Sequence, residues 1–227
     1  MDQIDPTALV LHKDSCLLVL NKPAGLAVHG GPKTPESLEN HLPALCFGNR
    51  FTPQPAHRLD RDTSGCLALG RHAKAMTRLG RLFAERLVGK TYWGIVQGQP
   101  PQPKGRIDLA LLKVQHRQGW QMQGNAAGQA ASTEYEILGQ ADGQTWLAFR
   151  PLTGRTHQIR VHAAALGCPL LGDTLYGPPG ATDMAAGLML HARQLTIPYY
   201  AERAPVRVEA PPPPHMLTRL AALGFNI

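Results

Sequence analysis

The longest apolar runs in this chain, such as residues 16–20 (CLLVL), are strand-sized, and Pro and Gly punctuate the sequence between them. Runs this short cannot span a bilayer as a helix. They can build a sheet. Residues 8–11 and 16–20 read as a hairpin, and Asn21, Lys22, Pro23, Ala24 and Gly25 end it. Residues 37–45 read as a short helix and 66–69 as a strand. The strongest helical pattern covers 72–87, with Met76, Leu79, Phe83 and Leu87 as its buried stripe. Lys74, Arg78 and Arg81 share another face, which reads either as a solvated surface or as a ridge that tracks phosphates. A strand follows at 90–96 (KTYWGIV), and 132–138 with 145–151 form a hairpin across 141–143. Residues 115–129, rich in Gln and Gly, read as an exposed loop or hairpin tip. Thr156 is the expected cap of a helix reaching Leu166, with Ile159, Ala163 and Leu166 inward and Gly167 as its stop. A strand at 188–197 and a small helix after the prolines at 211–214 complete the pattern. Neither a repeat nor a linker stands out, so residues 1–227 are expected to form one domain.

With 43% hydrophobic residues, the 227-residue chain can bury a core. Twenty-three Lys and Arg against sixteen Asp and Glu leave a net charge of +7, which suits a polyanion, RNA or DNA before an anionic membrane. Cys16, Cys46, Cys66 and Cys168 form no CxxC pair and signal neither zinc nor a disulfide framework. The acidic opening, Met1 to Asp5, is unlike a secretory signal, so a cytoplasmic location is expected. Nucleotide-binding glycine motifs and the nucleophile elbow are absent from the sequence. His157 and His162 are five apart, one more than the spacing that lets two imidazoles share a metal. No metal and no cofactor is expected. What remains is rich in Asp, Arg, Thr and Tyr, which suits chemistry that needs a carboxylate and a positioned substrate.

HRLDRDTSG (57–65) places two carboxylates two positions apart. Asp62 directly precedes Thr-Ser-Gly, where an Asp side chain bonds amides two residues on and shapes a turn. Asp60 could do the same, or do chemistry; local chemistry does not separate the two.

HRLDRDTSG, KTYWGIV (90–96) and GRTHQIRVH (154–162) together resemble the core motifs of the RluA-type pseudouridine synthases. NKPAGLAVH (21–29), GQAASTEYE (128–136), LGDTLYG (171–177) and LHARQL (190–195) agree, in the same order. The resemblance spans residues 8–198. It implies an α+β fold: a mixed, mainly antiparallel central sheet flanked by helices, with a catalytic cleft across the sheet. It implies cofactor-free isomerisation of uridine to pseudouridine in a stem-loop of rRNA or tRNA; a monomer is the default expectation.

Asp60 corresponds to the catalytic aspartate of similar enzymes, which either attacks C1′ or removes a sugar proton. Arg160 matches the arginine that pairs with it. Tyr92, by itself an ordinary core tyrosine, matches the one that stacks on the uracil and takes the C5 proton. Arg58 matches the residue that fills the gap left by a flipped-out nucleotide. Lys74, Arg78, Arg81, Arg155 and His157 are the further candidates for RNA contacts. Gln129 stands where similar sequences carry Lys, and Tyr199-Tyr200 replaces their His-Pro. No RNA-binding module precedes Ala8, so recognition is expected to come from the catalytic domain.

Overall fold

The computed structural model describes residues 5–31, 34–116, 119–177 and 187–226. In chain order a 3-10 turn Pro6–Leu9 leads to β1 (Val10–Lys13), β2 (Leu17–Lys22) and a 3-10 helix Leu38–Leu45. Then come β3 (Gln54–Pro55), β4 (Ser64–Gly70), α1 (Ala73–Ala84), β5 (Gly89–Gln97), β6 (Lys104–Asp108), β7 (Leu111–His116) and β8 (Gly119–Gly124). The chain continues with β9 (Ser132–Ala141), β10 (Gln144–Pro151), α2 (Gln158–Ala165), β11 (Leu190–Ile197), β12 (Val206–Glu209) and α3 (Pro214–Ala222). Among the described residues no helix is long and apolar enough to cross a membrane. Residues 1–4 of the acidic opening lie outside the described part. Two compact units emerge, Met1–Lys90 with Ala192–Pro211, and Thr91–His191 with Pro212–Ile227.

In the first unit the strand order is β1-β2-β4-β11, with β3 on β4 and β12 on β11. β2 and β4 are buried along almost their whole length, which is why both read as continuous apolar runs. Leu17, Val19, Cys66, Ala68, Leu195 and Ile197 meet α1 in one core. α1 starts where His72 Nδ1 accepts the Ala75 amide at 3.1 Å. It stops at Arg86, which takes a left-handed turn at φ +60°. The expected stripe is therefore rotated. Ala75, Leu79 and Leu82 are buried, while Leu87, past the stop, is 53% exposed. Both sets fit a 3.6 period; the small Ala75 lets the helix settle on its own side.

In the second unit the order is β5-β10-β9-β6, and β7 and β8 form a separate hairpin. The 141–143 turn is as expected: Asp142 and Gly143 both have positive φ, the conformation that joins antiparallel strands with the right twist. Of the two readings of 115–129, loop or hairpin tip, the second holds: the end of β7 and all of β8 lie within it and pair with each other; residues 117–118 lie outside the described part. α3 closes the opposite side, with Met216, Leu220 and Leu223 on Ile95, Trp146 and Met189. Gly139 is required there, since a Cβ would strike the Leu223 carbonyl.

Candidate active site

In the first unit, the segment bearing Asp60 is held mostly by main chain. The Asp60 carbonyl accepts the Thr63 amide at 3.1 Å, closing the turn. Leu59 is buried and Arg58 exposed, so alternation points the arginine outward; Asp60 is half-buried. His57 packs face to face on Phe83 with centroids 4.5 Å apart. Its Nε2 accepts the Ala68 amide at 3.0 Å, which puts the ring proton on Nδ1. Burial, with the Lys90 charge second, pushes its pKa down to about 3, so the imidazole is neutral. Gly65 has φ +106°, and a Cβ there would collide with the Ala192 carbonyl. The glycine that ends HRLDRDTSG lets β4 approach β11.

Beneath this turn lies Lys22, fully buried. Its Nζ donates to the carbonyls of Pro23 and Leu26, both at 2.7 Å, and of Arg61 at 3.0 Å. The Gly25 amide also donates to the Arg61 carbonyl. Burial lowers the Lys22 pKa to about 7, while Asp62 and then Asp60 pull it back up. Three carbonyls match three ammonium N–H donors, which favours the charged form. A cation is thus fixed to the peptide between the two aspartates. The Asp62 carboxylate accepts from Arg61 Nε at 3.1 Å, at the surface, rather than from a backbone amide as expected. The turn's main chain already closes through Asp60.

In the second unit, Tyr92 sits on β5 opposite Phe149 and packs against the core of Val96, Tyr135, Phe149 and Ile159. Arg160 lies on α2, whose first six residues are all buried. Its guanidinium grips Asp173 in a two-pronged pair, Nε to Oδ2 at 2.8 Å and Nη2 to Oδ1 at 2.6 Å. Asp173 Oδ1 also accepts the amides of Leu175 and Tyr176, and the Tyr176 ring lies 5.1 Å from the guanidinium carbon. Gln158 ties the helix start to β9, donating from Nε2 to Ser132 O and Thr133 Oγ1, both at 2.9 Å. Its Oε1 accepts from Thr153 Oγ1 at 2.6 Å and from the Arg155 amide at 3.0 Å. His157, not Thr156, occupies the cap position, at φ +53°.

The remaining candidates are dispersed within their units. Arg155 Nε donates to the Ala130 carbonyl at 3.3 Å. His157 Nδ1 lies 2.7 Å from Tyr176 Oη. His162 is buried between Thr133 Oγ1 and the Leu109 carbonyl, and burial lowers its pKa. Lys74, Arg78 and Arg81 are exposed on α1; Arg81 pairs with Glu85 at 2.7 Å and Arg78 lies over Tyr199. Among the described residues no group of three or more His, Cys, Asp or Glu could hold a metal ion. Lys22 and Asp173 were missed by sequence reasoning, although both stand in quoted motifs. Their signal was a charged residue inside an otherwise apolar or Gly-rich block.

Comparison with known proteins agrees along the chain. The family model described as RNA pseudouridylate synthase matches residues 16–165. The structure is similar to human RNA Pseudouridylate Synthase Domain Containing 4, with a TM-score of 0.79 at 27% identity over 95% of this chain and 94% of that one. The chain belongs to the RNA pseudouridylate synthase family and is an isomerase acting on RNA. Its relatives include an uncharacterized RNA pseudouridine synthase of Zymomonas mobilis, 45% identical over 206 residues, or 90% of this chain and 93% of that protein. The dual-specificity RNA pseudouridine synthase RluA of Escherichia coli O157:H7 is 37% identical over 211 residues, 91% and 94% of the two chains. The α+β, mainly antiparallel fold and the RluA-type assignment expected from the motifs both stand.

Proposed function

We propose that residues 1–227 work as one catalytic domain, a cytoplasmic monomer, on a uridine in a stem-loop of tRNA, ribosomal RNA or both. The dual-specificity name of the Escherichia coli relative supports the pair of substrates. Asp60 acts at the sugar, by attack on C1′ or by removal of a sugar proton. The C1′–N1 bond breaks, the uracil turns, and C1′–C5 forms; C5 then loses its hydrogen and N1 gains one, so no oxidant or cofactor is required. Tyr92 stacks on the uracil and takes the C5 proton. Arg160 supplies the charge opposing Asp60, and Arg58 fills the place of the flipped nucleotide. Arg155, His157 and the α1 cations contact phosphates.

The observation that carries this reading is the anchoring of the Asp60 turn by Lys22 and by its own main chain. A turn fixed at its main chain presents the Asp60 side chain to the sugar from a defined position. Release of tritium from C5-labelled RNA tests it. Asp60→Asn should abolish release while RNA affinity stays within about threefold; Asp62→Asn should keep most of it. A dead Asp62→Asn enzyme beside an active Asp60→Asn enzyme would reverse the assignment. Mapping pseudouridine in total RNA with and without the gene identifies the target.

A further inference from the structure

The β7–β8 hairpin carries a tryptophan that the scheme above leaves unused. Trp120 lies opposite Gln115 in the ladder and is 39% exposed, one of six large apolar side chains left so open among the described residues. Its surroundings are aromatic and cationic rather than aliphatic. The His157 ring stacks on it, with centroids 5.4 Å apart and planes inclined by 22°. Lys113 Nζ lies 4.5 Å from its centroid. The register explains this: Lys113 pairs with Met122, which makes Lys113 and Trp120 diagonal neighbours on one face of the hairpin.

The platform is anchored. Met122 is buried with Leu111, Ala131 and Val161, and its amide donates to Tyr176 Oη at 3.1 Å. The same hydroxyl bonds His157, and the Tyr176 ring lies against Arg160. Trp120 is thus the exposed end of a continuous series, through His157, Tyr176 and Arg160 to the buried Asp173.

We propose that Trp120, Lys113 and His157 form a subsite that stacks an unpaired base of the RNA and neutralises its phosphate, in addition to the residues that handle the target uridine. An exposed indole beside a cation is how proteins hold single-stranded nucleic acid, because every base offers a π-face and every nucleotide a phosphate. A base on an aromatic ring outweighs an exposed ammonium on the same ring. The base therefore displaces Lys113, whose freed charge serves the phosphate. A protein partner would call for a contiguous apolar patch, whereas Lys113 and Gln115, on the indole's face of the hairpin, are exposed and polar.

The inference rests on RNA being the substrate, but its test does not depend on turnover. Indole fluorescence is followed while a short RNA stem-loop, or a blunt duplex of the same stem, is added. Trp93 and Trp146 contact each other and Phe225 edge-on, so both report on the core. The stem-loop should quench and the duplex should not. Trp120→Leu should remove the quench and weaken stem-loop binding about tenfold or more, with Trp120→Phe restoring most of the affinity. Lys113→Gln should lower the slope of log affinity against log salt by about one charge. Equal affinity of wild type and Trp120→Leu for the stem-loop, or equal quenching by the duplex, overturns the subsite. Failure of the isomerase reading would appear elsewhere, as wild-type protein that binds RNA and forms no pseudouridine.

Discussion

The Asp60 turn and the start of α2 each fix motif residues, and they do so by different physics. The turn is held by one buried ammonium and its own peptide groups. Lys22 spreads its charge over three carbonyls, and among the described residues no carboxylate pairs with it directly. The helix start is held by side chains: a buried guanidinium clasped by a buried carboxylate, and an amide that satisfies both β9 and the loop before it. The difference shows what each anchor is sensitive to. A cation neutralised by dipoles feels pH, because burial works against its proton. One paired with a full negative charge stays ionised and depends on its partner.

Removing that partner should have the largest effect on stability. Asp173→Ala takes the two-pronged carboxylate from Arg160 and the acceptor from two loop amides, and should lower unfolding free energy by about 3–5 kcal/mol. Urea denaturation measures it. A loss below about 1 kcal/mol would mean that the helix start is not anchored through this pair. Lys22→Met should cost less, about 1–3 kcal/mol, because dipoles rather than a charge are left unmatched.

The two anchors should also separate in pH. The Lys22 pKa is about 7 folded against 10.5 unfolded. Below pH 7 both states hold the proton, and the cost of burying the charge is present in full. Between those values the unfolded state binds more protons, so the wild type gains stability as pH rises. The gap in unfolding free energy between wild type and Lys22→Met should widen from pH 7 to about 9, while the gap to Asp173→Ala stays level. A level Lys22 gap would put the two anchors in one class. The smallest effect on stability belongs to the exposed cations of α1. Neutralising Lys74, Arg78 and Arg81 together should barely move the urea midpoint but should flatten the salt dependence of RNA binding. An unchanged salt slope returns that face to plain solvent.

Several elements were legible because their signals are local. The turn at Asp142 and Gly143 is fixed by two residues that tolerate positive φ, and the strands of β2 and β4 by unbroken apolar runs. The helix at 72–87 was legible in existence but not in rotation, since Met76 and Ala75 are both compatible with its period. The cap at Thr156 went wrong because tertiary contacts of Gln158 hold the helix start, which leaves no need for a hydroxyl. For β8, Gln and Gly left loop and hairpin tip equally open; Met122 in the core with Val161 of α2 is what settles the hairpin.

The sequence by itself determined the family, the α+β class, the reaction on RNA and the motifs that carry Asp60, Tyr92 and Arg160. Those follow from residues in a fixed order along the chain. Only the tertiary structure decided what holds the motifs. Lys22 reaches the Arg61 carbonyl across 39 residues and Arg160 reaches Asp173 across 13. Trp120 meets His157 from a hairpin that composition alone does not tell from a loop. Local preference is set by a residue and its neighbours within a turn or two. The partner of a buried charge is whatever acceptor the returning chain brings within about 3 Å, and the cost of leaving that charge unmatched then fixes the geometry.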